Sequence, residues 1–192
     1  MIEEREIEGL TTVPKNDEIK DVVFGLNQES VPGPDGFPYA FFMVEWDIIK
    51  THVEEAMKDF SQVGDLPRVV CAYKAILISK VNSPTYLDQF RLICLCNFYY
   101  NVIAIIINRG LGLVIPRIVS DEQHVFVKGR SIKGYIGIAC EMVEDLDKKS
   151  LGSNVMIMVH IRTVYDRVEW SFIIKDMRNV VLNEWFCNLF FR

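Results

Sequence analysis

His160 occupies the position at which a predicted buried strand reaches its exposed end. The run VMIMV at residues 155–159 is continuously apolar, which suits a strand covered on both faces and is too short to cross a membrane. In α/β and α+β folds, such strand ends are where ligands are held. A phosphotransferase needs a carboxylate there, because Mg²⁺ prefers hard oxygen ligands. An imidazole at this position therefore predicts a site that holds Mg²⁺ poorly.

Length and composition bound the class of protein. With 192 residues and 50% hydrophobic composition, the chain can bury a substantial core as one domain or as a fragment of a larger one. Its five cysteines form no CxxC pair, and the N-terminus carries no secretory signal, so we expect a reduced intracellular chain, in the nucleus or the cytoplasm. Its three histidines lack zinc-ligand spacing.

Charge is distributed unevenly along the chain. The net charge is −5, yet residues 1–60 contain 14 acidic and five basic side chains, whereas residues 91–133 contain six basic and two acidic ones. A local basic stretch inside an acidic chain is compatible with one surface that faces nucleic acid. Scattered, solvated lysines and arginines are the alternative explanation.

Helical patterns dominate the first third of the chain. A frayed lead-in at 1–15 precedes a helix with Asn16 or Asp17 as its cap, since one apolar stripe follows, formed by Ile19, Val22, Val23 and Leu26. The segment VPGPDGFP at 31–38 must end it. Apolar positions from Phe41 to Phe60 then predict one long buried helix, which GDLPR at 64–68 terminates.

The remaining elements complete a mixed layout. AYKAILISK at 72–80 predicts a strand, and the apolar segment 92–111 predicts a buried core helix, with a membrane span as the alternative. Residues 131–149 predict an amphipathic helix, and a last helix follows the strand at 155–159. Few strands between long helices indicate an α+β or mixed α/β layout with non-local strand pairing.

Six blocks in one order resemble the reverse transcriptases of LINE-type non-LTR retrotransposons, especially those common in plant genomes. SVPGPDGFP at 30–38 resembles the family's APGPDGF loop, and ILISK and QFRLICLCN resemble "LIPK" and "FRPISLCN". The run from Asn108 to Ile118 is similar to "NRL...LP.I", SDEQHVFVKGRSI to "S..Q.GF..GRSI", and MVHIRTVYDRVEW to "VDIxKAFDxVxW". The resemblance covers roughly residues 16–192.

The resemblance implies a fold, an activity and its ligands. The fold is α+β, with residues 16–192 forming the fingers and the start of the palm of a right-hand polymerase. The family copies an RNA template from a DNA primer with two Mg²⁺ ions held by aspartates. His160 matches the first of these aspartates, and Tyr165 matches the aromatic gate at the sugar 2′ position. Asp166 is a weaker catalytic candidate, with a structural or capping role as the alternative.

The resemblance also assigns binding residues. Lys80 and Arg91 match fingers positions that face the nucleotide phosphates and the template, as suits cationic donors. The alternative for Arg91 is a buried ion pair. Gln123, Lys128 and Arg130 match a template-side motif, and a solvated loop is the alternative for the two basic residues. We expect no membrane partner, and the sequence leaves the oligomeric state open.

Several departures predict that this chain is inactive. His160 brings neither charge nor a hard oxygen to Mg²⁺, Thr163 and Val164 replace Lys-Ala, and no aromatic-Ala-Asp-Asp tetrapeptide occurs in the 192 residues. No intact metal site is expected, and the chain is interpreted as the product of a degenerate, truncated element. A non-catalytic nucleic-acid-binding remnant and an unselected product without function are the alternatives.

Overall fold

A computed structural model describes residues 12–146, 148, 155, 157, 159, 167–179 and 184–189. The described elements run in the following order: α1 (Asn16–Phe24), α2 (Tyr39–Val44), α3 (Trp46–Val63), β1 (Tyr73–Ser79), a short 3₁₀ turn (Leu87–Gln89), β2 (Phe90–Cys96), α4 (Phe98–Ile118), α5 (Ile132–Asp145), α6 (Trp170–Asn179) and α7 (Glu184–Leu189). In this part of the chain, the elements are helices and one small antiparallel sheet of order β1-β2, which agrees with an α+β class.

Helix α1 forms on the predicted stripe, although its start differs from the prediction. Ile19, Val22 and Val23 are buried, as the 3.6-residue period requires. The cap position is Lys15, without a side-chain hydrogen bond, and Asn16 is the first helical residue. The predicted cap at Asn16 or Asp17 is therefore wrong. The side-chain amide of Asn16 donates to the Glu54 carboxylate of α3 at 2.7 Å instead of capping the helix.

The predicted long helix after the Pro-Gly segment is two helices. Glu45 interrupts it with φ −86° and ψ 12°, so α2 and α3 are separate and can turn their buried faces toward α1 and α4. Phe42 of α2 stacks on Phe98 of α4, with ring centroids 3.8 Å apart and planes 5° from parallel. The predicted break after this helix is confirmed, because Gly64 ends α3 in the left-handed conformation, φ 71°.

The helix predicted for residues 92–111 is also split. Residues Phe90–Cys96 form β2, which pairs with β1, and α4 begins only at Phe98. Within the described residues the predicted non-local strand pairing is wrong as well, since β1 pairs with β2, the next strand along the chain. A continuous apolar run has neither the two-residue period of a strand nor the 3.6-residue period of a helix. The boundary between β2 and α4 therefore depends on the pairing of β2 with β1.

Helix α4 links two hydrophobic cores. Its first turns are buried with α1, α2 and α3 through Phe98, Val102 and Ile103, which confirms a core helix there. Further along, Ile107 and Leu111 pack against a second cluster formed by Ile174, Phe186 and Cys187. By length and composition alone, α4 is the one described helix that could cross a membrane, but a soluble core helix has the same properties.

Two expectations about the second half of the chain have different outcomes. Helix α5 lies within the predicted 131–149 segment, with the Ser131 hydroxyl accepting from the Lys133 amide at 3.3 Å. The predicted buried strand at 155–159 is wrong for its described residues, Val155, Ile157 and Val159, which are 76–81% exposed and belong to no strand. Neither β1 nor β2 pairs with them, so nothing in the described sheet covers their side chains.

Candidate nucleic-acid interface

The β1–β2 hairpin places Lys80 and Arg91 on one face. In the antiparallel register Arg91 lies opposite Ile78, and Lys80 continues β1 with its amide donating to the Gln89 carbonyl at 2.8 Å. Residues directly opposite each other share a face, and residues two apart along a strand do too. Lys80 and Arg91 therefore project from the same side of the hairpin, near its loop.

The register adds a third cation to this side, which we call the cationic face. It consists of Lys74, Ile76, Ile78, Lys80, Arg91, Ile93 and Leu95. The three cations are exposed, and Ile76, Ile78 and Ile93 between them are 38–49% exposed. Sequence reasoning missed Lys74, although the alternation Lys74, Ile76, Ile78, Lys80 in AYKAILISK was the available signal.

The opposite side of the hairpin, the neutral face, carries no charge. It consists of Tyr73, Ala75, Leu77, Ser79, Phe90, Leu92, Cys94 and Cys96. Leu77 is 52% exposed and Leu92 62% exposed. The hairpin is thus strongly two-sided in charge, and only one side offers donors for phosphate.

Arg91 and Lys80 have different surroundings. Arg91 is exposed, so the alternative of a buried ion pair does not fit it. The Lys80 ammonium donates to the Asp88 carbonyl at 2.9 Å, which places it beside the hairpin loop. The Gln89 side chain accepts from the Thr85 and Tyr86 amides at 2.7 and 3.2 Å, which fixes the shape of that loop.

The base of the hairpin is held by the Pro-Gly segment. The Asp35 carboxylate accepts from the Phe98 amide at 3.1 Å, at the first turn of α4. The buried Asn97 side chain accepts from the Asp35 amide at 3.0 Å and donates to the Val69 carbonyl at 2.7 Å. Gly36, φ 78°, closes the turn. Asp35 is therefore a turn former, as predicted, and also satisfies a free amide at the α4 N-terminus.

Gly33 shows how closely this segment approaches the strand. A Cβ added at Gly33 would lie 2.4 Å from the Cys96 carbonyl oxygen and 2.9 Å from the Asn97 nitrogen. Backbone contacts this short exclude any side chain. Gly33, the first glycine of PGPDG, is thus required for packing against the end of β2.

Arg130 stabilises the loop that follows α4. Its side chain is 14% exposed, so the alternative of a solvated loop residue does not fit it. Helix C-termini leave carbonyls without intrahelical partners, and a guanidinium can satisfy several at once. The Arg130 guanidinium donates to the backbone oxygens of Pro116, Val119, Ser120 and Gln123 and to the Asp121 carboxylate.

The other two predicted residues of this loop, Gln123 and Lys128, differ in their surroundings. The Gln123 side-chain amide donates to the Val125 carbonyl at 3.0 Å, inside the loop. Lys128 is exposed. A hydrogen bond from the Ser120 side chain lowers the pKa of the Glu122 carboxyl, with its own backbone and Arg130 contributing, so Glu122 stays ionised near neutral pH.

The proposed catalytic positions His160, Tyr165 and Asp166 lie outside the described residues. Within the described part of the chain, no group of three His, Cys, Asp or Glu side chains could hold a metal ion. Near the hairpin base, burial raises the pKa of the Tyr39 hydroxyl and of the Cys96 thiol. Both groups therefore stay neutral at physiological pH.

Comparison with known proteins links the chain to a mobile element. It is 22% identical over 178 residues to a protein of Xenopus laevis described as the transposon TX1 uncharacterized 149 kDa protein. The alignment covers 93% of this chain and 14% of that relative's length. No protein-family model matches the chain. The chain is thus similar, at low identity and along nearly all its length, to one segment of a transposon protein.

Proposed function

We propose that this chain derives from a retrotransposon, forms the fingers and the start of the palm of a LINE-type reverse transcriptase, and binds RNA without copying it. Two sequence observations support this origin. The ordered sequence blocks resemble that family, and the similarity to a transposon protein covers 93% of the chain.

The cationic face of the hairpin is the observation that carries the proposal. Lys74, Lys80 and Arg91 are exposed on one side, while the opposite side has no charge. Lysine and arginine bind phosphate oxygens with several donors each and release counterions from the nucleic acid. The isoleucines between them offer an apolar surface for ribose and base edges. An RNA template strand, or a primer paired with it, fits such a surface.

The residues at the proposed catalytic positions fit Mg²⁺ poorly. His160 provides a neutral nitrogen where the family has a carboxylate, and Mg²⁺ takes oxygen ligands. Tyr165 would still occupy the sugar gate and Asp166 would be a lone nearby carboxylate. Bound Mg²⁺ would supply charge for nucleotidyl transfer. Without a carboxylate at position 160 we propose that the chain does not catalyse this reaction.

Salt-dependent RNA binding tests the proposal. Fluorescence anisotropy with a labelled single-stranded RNA, between about 50 and 200 mM salt, should give a linear decrease of log affinity with log salt. Each phosphate contact that is lost should reduce the slope by about 0.7. We expect Lys80→Ala and Arg91→Ala each to reduce it by that amount, because each removes one exposed cation.

Lys20→Ala is the matched control, since Lys20 is an exposed lysine on α1 in the acidic part of the chain. It should leave the slope unchanged. Binding that is absent at low salt, or a slope equally sensitive to Lys20, would contradict the proposal. Primer extension with Mg²⁺ should yield no product, and a measurable product would refute the proposed inactivity.

A further inference from the structure

Phe126 has an unusual backbone conformation for its residue type. Two non-glycine residues in the described part of the chain have positive φ, Ser83 at 70° and Phe126 at 64°. The left-handed region is uncommon for any L-residue, and for a bulky side chain it is an outlier. Phe126 is also 97% exposed. The Phe126 ring therefore adds no burial to the fold, although its backbone is strained.

The loop around Phe126 is nevertheless built firmly. Arg130 joins the end of α4 to the start of this loop, because its guanidinium Nη2 donates to the Pro116 and Val119 carbonyls, each at 3.0 Å. The neighbouring Val127 is buried, 7% exposed. Its carbonyl accepts from the Arg130 amide at 3.2 Å. Phe126 is therefore held outward between a fixed loop start and a buried next residue.

The surroundings of Phe126 suit a nucleobase better than a phosphate. Residues 119–131 carry two acidic and two basic side chains, so their charges cancel. Aromatic groups are present nearby in sequence: the His124 ring lies 5.7 Å from the Tyr135 ring. Strained conformations that persist without a folding benefit are found at ligand-binding sites. Single-stranded nucleic acids are bound by stacking of bases on exposed aromatic rings.

We propose that Phe126 is a stacking platform for an unpaired base of a single-stranded RNA. This inference rests on the proposed function, in which the cationic face contacts RNA phosphates. The two contributions differ physically. Removal of a hairpin cation changes the salt dependence, whereas removal of the ring changes affinity at every salt concentration by the same factor.

The test compares Phe126→Leu and Phe126→Gly with the wild type by anisotropy on a short single-stranded RNA. Stacking on one aromatic ring contributes roughly 5- to 150-fold in affinity, so we expect Phe126→Leu to bind about tenfold more weakly with an unchanged salt slope. On a strand of the same length without bases, Phe126→Leu and the wild type should bind equally. Phe172→Leu is the control, since Phe172 on α6 is another exposed phenylalanine, 59% exposed.

Phe126→Gly separates binding from folding. Glycine adopts positive φ without strain, so this variant should lose the same affinity while its Tm rises by about 2 to 4 °C. If the wild type binds RNA and Phe126→Leu binds equally well, the stacking role is wrong while the proposed function stands. If the wild type binds no single-stranded RNA, both are wrong.

Discussion

The helical core and the β1–β2 hairpin are similarly apolar but use their side chains differently. In the core, Val53 is fully buried and Phe98 is 1% exposed. In the hairpin, Leu77 and Leu92 are more than half exposed. Apolar composition therefore does not determine burial in this chain. Burial depends on how many elements pack around a side chain. Helices α1 to α4 cover one another, whereas the described hairpin has no sheet or helix over either face.

The hairpin is positioned through its base rather than through its faces. Asn97 connects the Asp35 amide to the Val69 carbonyl, and Gly33 contacts the backbone at Cys96. These contacts attach the Pro-Gly segment to the junction between β2 and α4. Both faces remain accessible to a ligand, and the cations on one face select an anionic one. The core thus provides stability, and the hairpin provides a binding surface at a fixed orientation.

The largest loss of stability is expected from a substitution that disrupts the core and leaves the hairpin intact. Phe98→Ala removes a ring that stacks on Phe42 in a closely packed region, and such truncations cost about 3 to 5 kcal/mol. Leu92→Ala is the matched control, and its exposed side chain should change the free energy of unfolding by less than about 0.5 kcal/mol. Urea denaturation of both variants measures the difference. Equal losses would show that the hairpin is packed against another part of the protein.

A smaller effect concerns the joint between the two regions. Gly33→Ala introduces a Cβ 2.4 Å from the Cys96 carbonyl oxygen, so backbone must shift, and we expect a cost of about 1 to 3 kcal/mol. Gly112→Ala is the matched control. Position 112 lies inside α4 with nothing within 4 Å of an added Cβ, so alanine should stabilise the helix by about 0.5 to 1 kcal/mol. Thermal denaturation measures both changes in stability. A change of the same sign for the two variants would contradict the close contact between Gly33 and the end of β2.

Local sequence patterns predicted those elements whose signal is periodic. The stripe of Ile19, Val22 and Val23 predicted α1, and the composition of residues 72–80 predicted β1. The β2–α4 boundary could not be predicted, because residues 90–107 are almost continuously apolar. It is set at Asn97 and Phe98 by hydrogen bonds to Asp35, a residue more than 60 positions away.

The sequence predicted only part of the candidate site, because the rest depends on contacts that form in the folded chain. The sequence singled out Lys80 and Arg91, and the strand register placed them on one face and added Lys74. Arg130 was expected to contact nucleic acid, but its partners include the carbonyls at the end of α4. Such contacts depend on how a helix ends. The conformation of Phe126 is likewise a property of the folded loop, and no residue pattern indicates it.

Hydrogen exchange with and without RNA is the most direct test of a binding hairpin on a stable core. With saturating single-stranded RNA, amides of residues 73–96 should exchange more slowly, because a ligand on the cationic face suppresses opening of the β1–β2 ladder. Amides of α3, residues 46–63, should exchange at unchanged rates. Slower exchange in α3 with an unaffected hairpin would contradict the account.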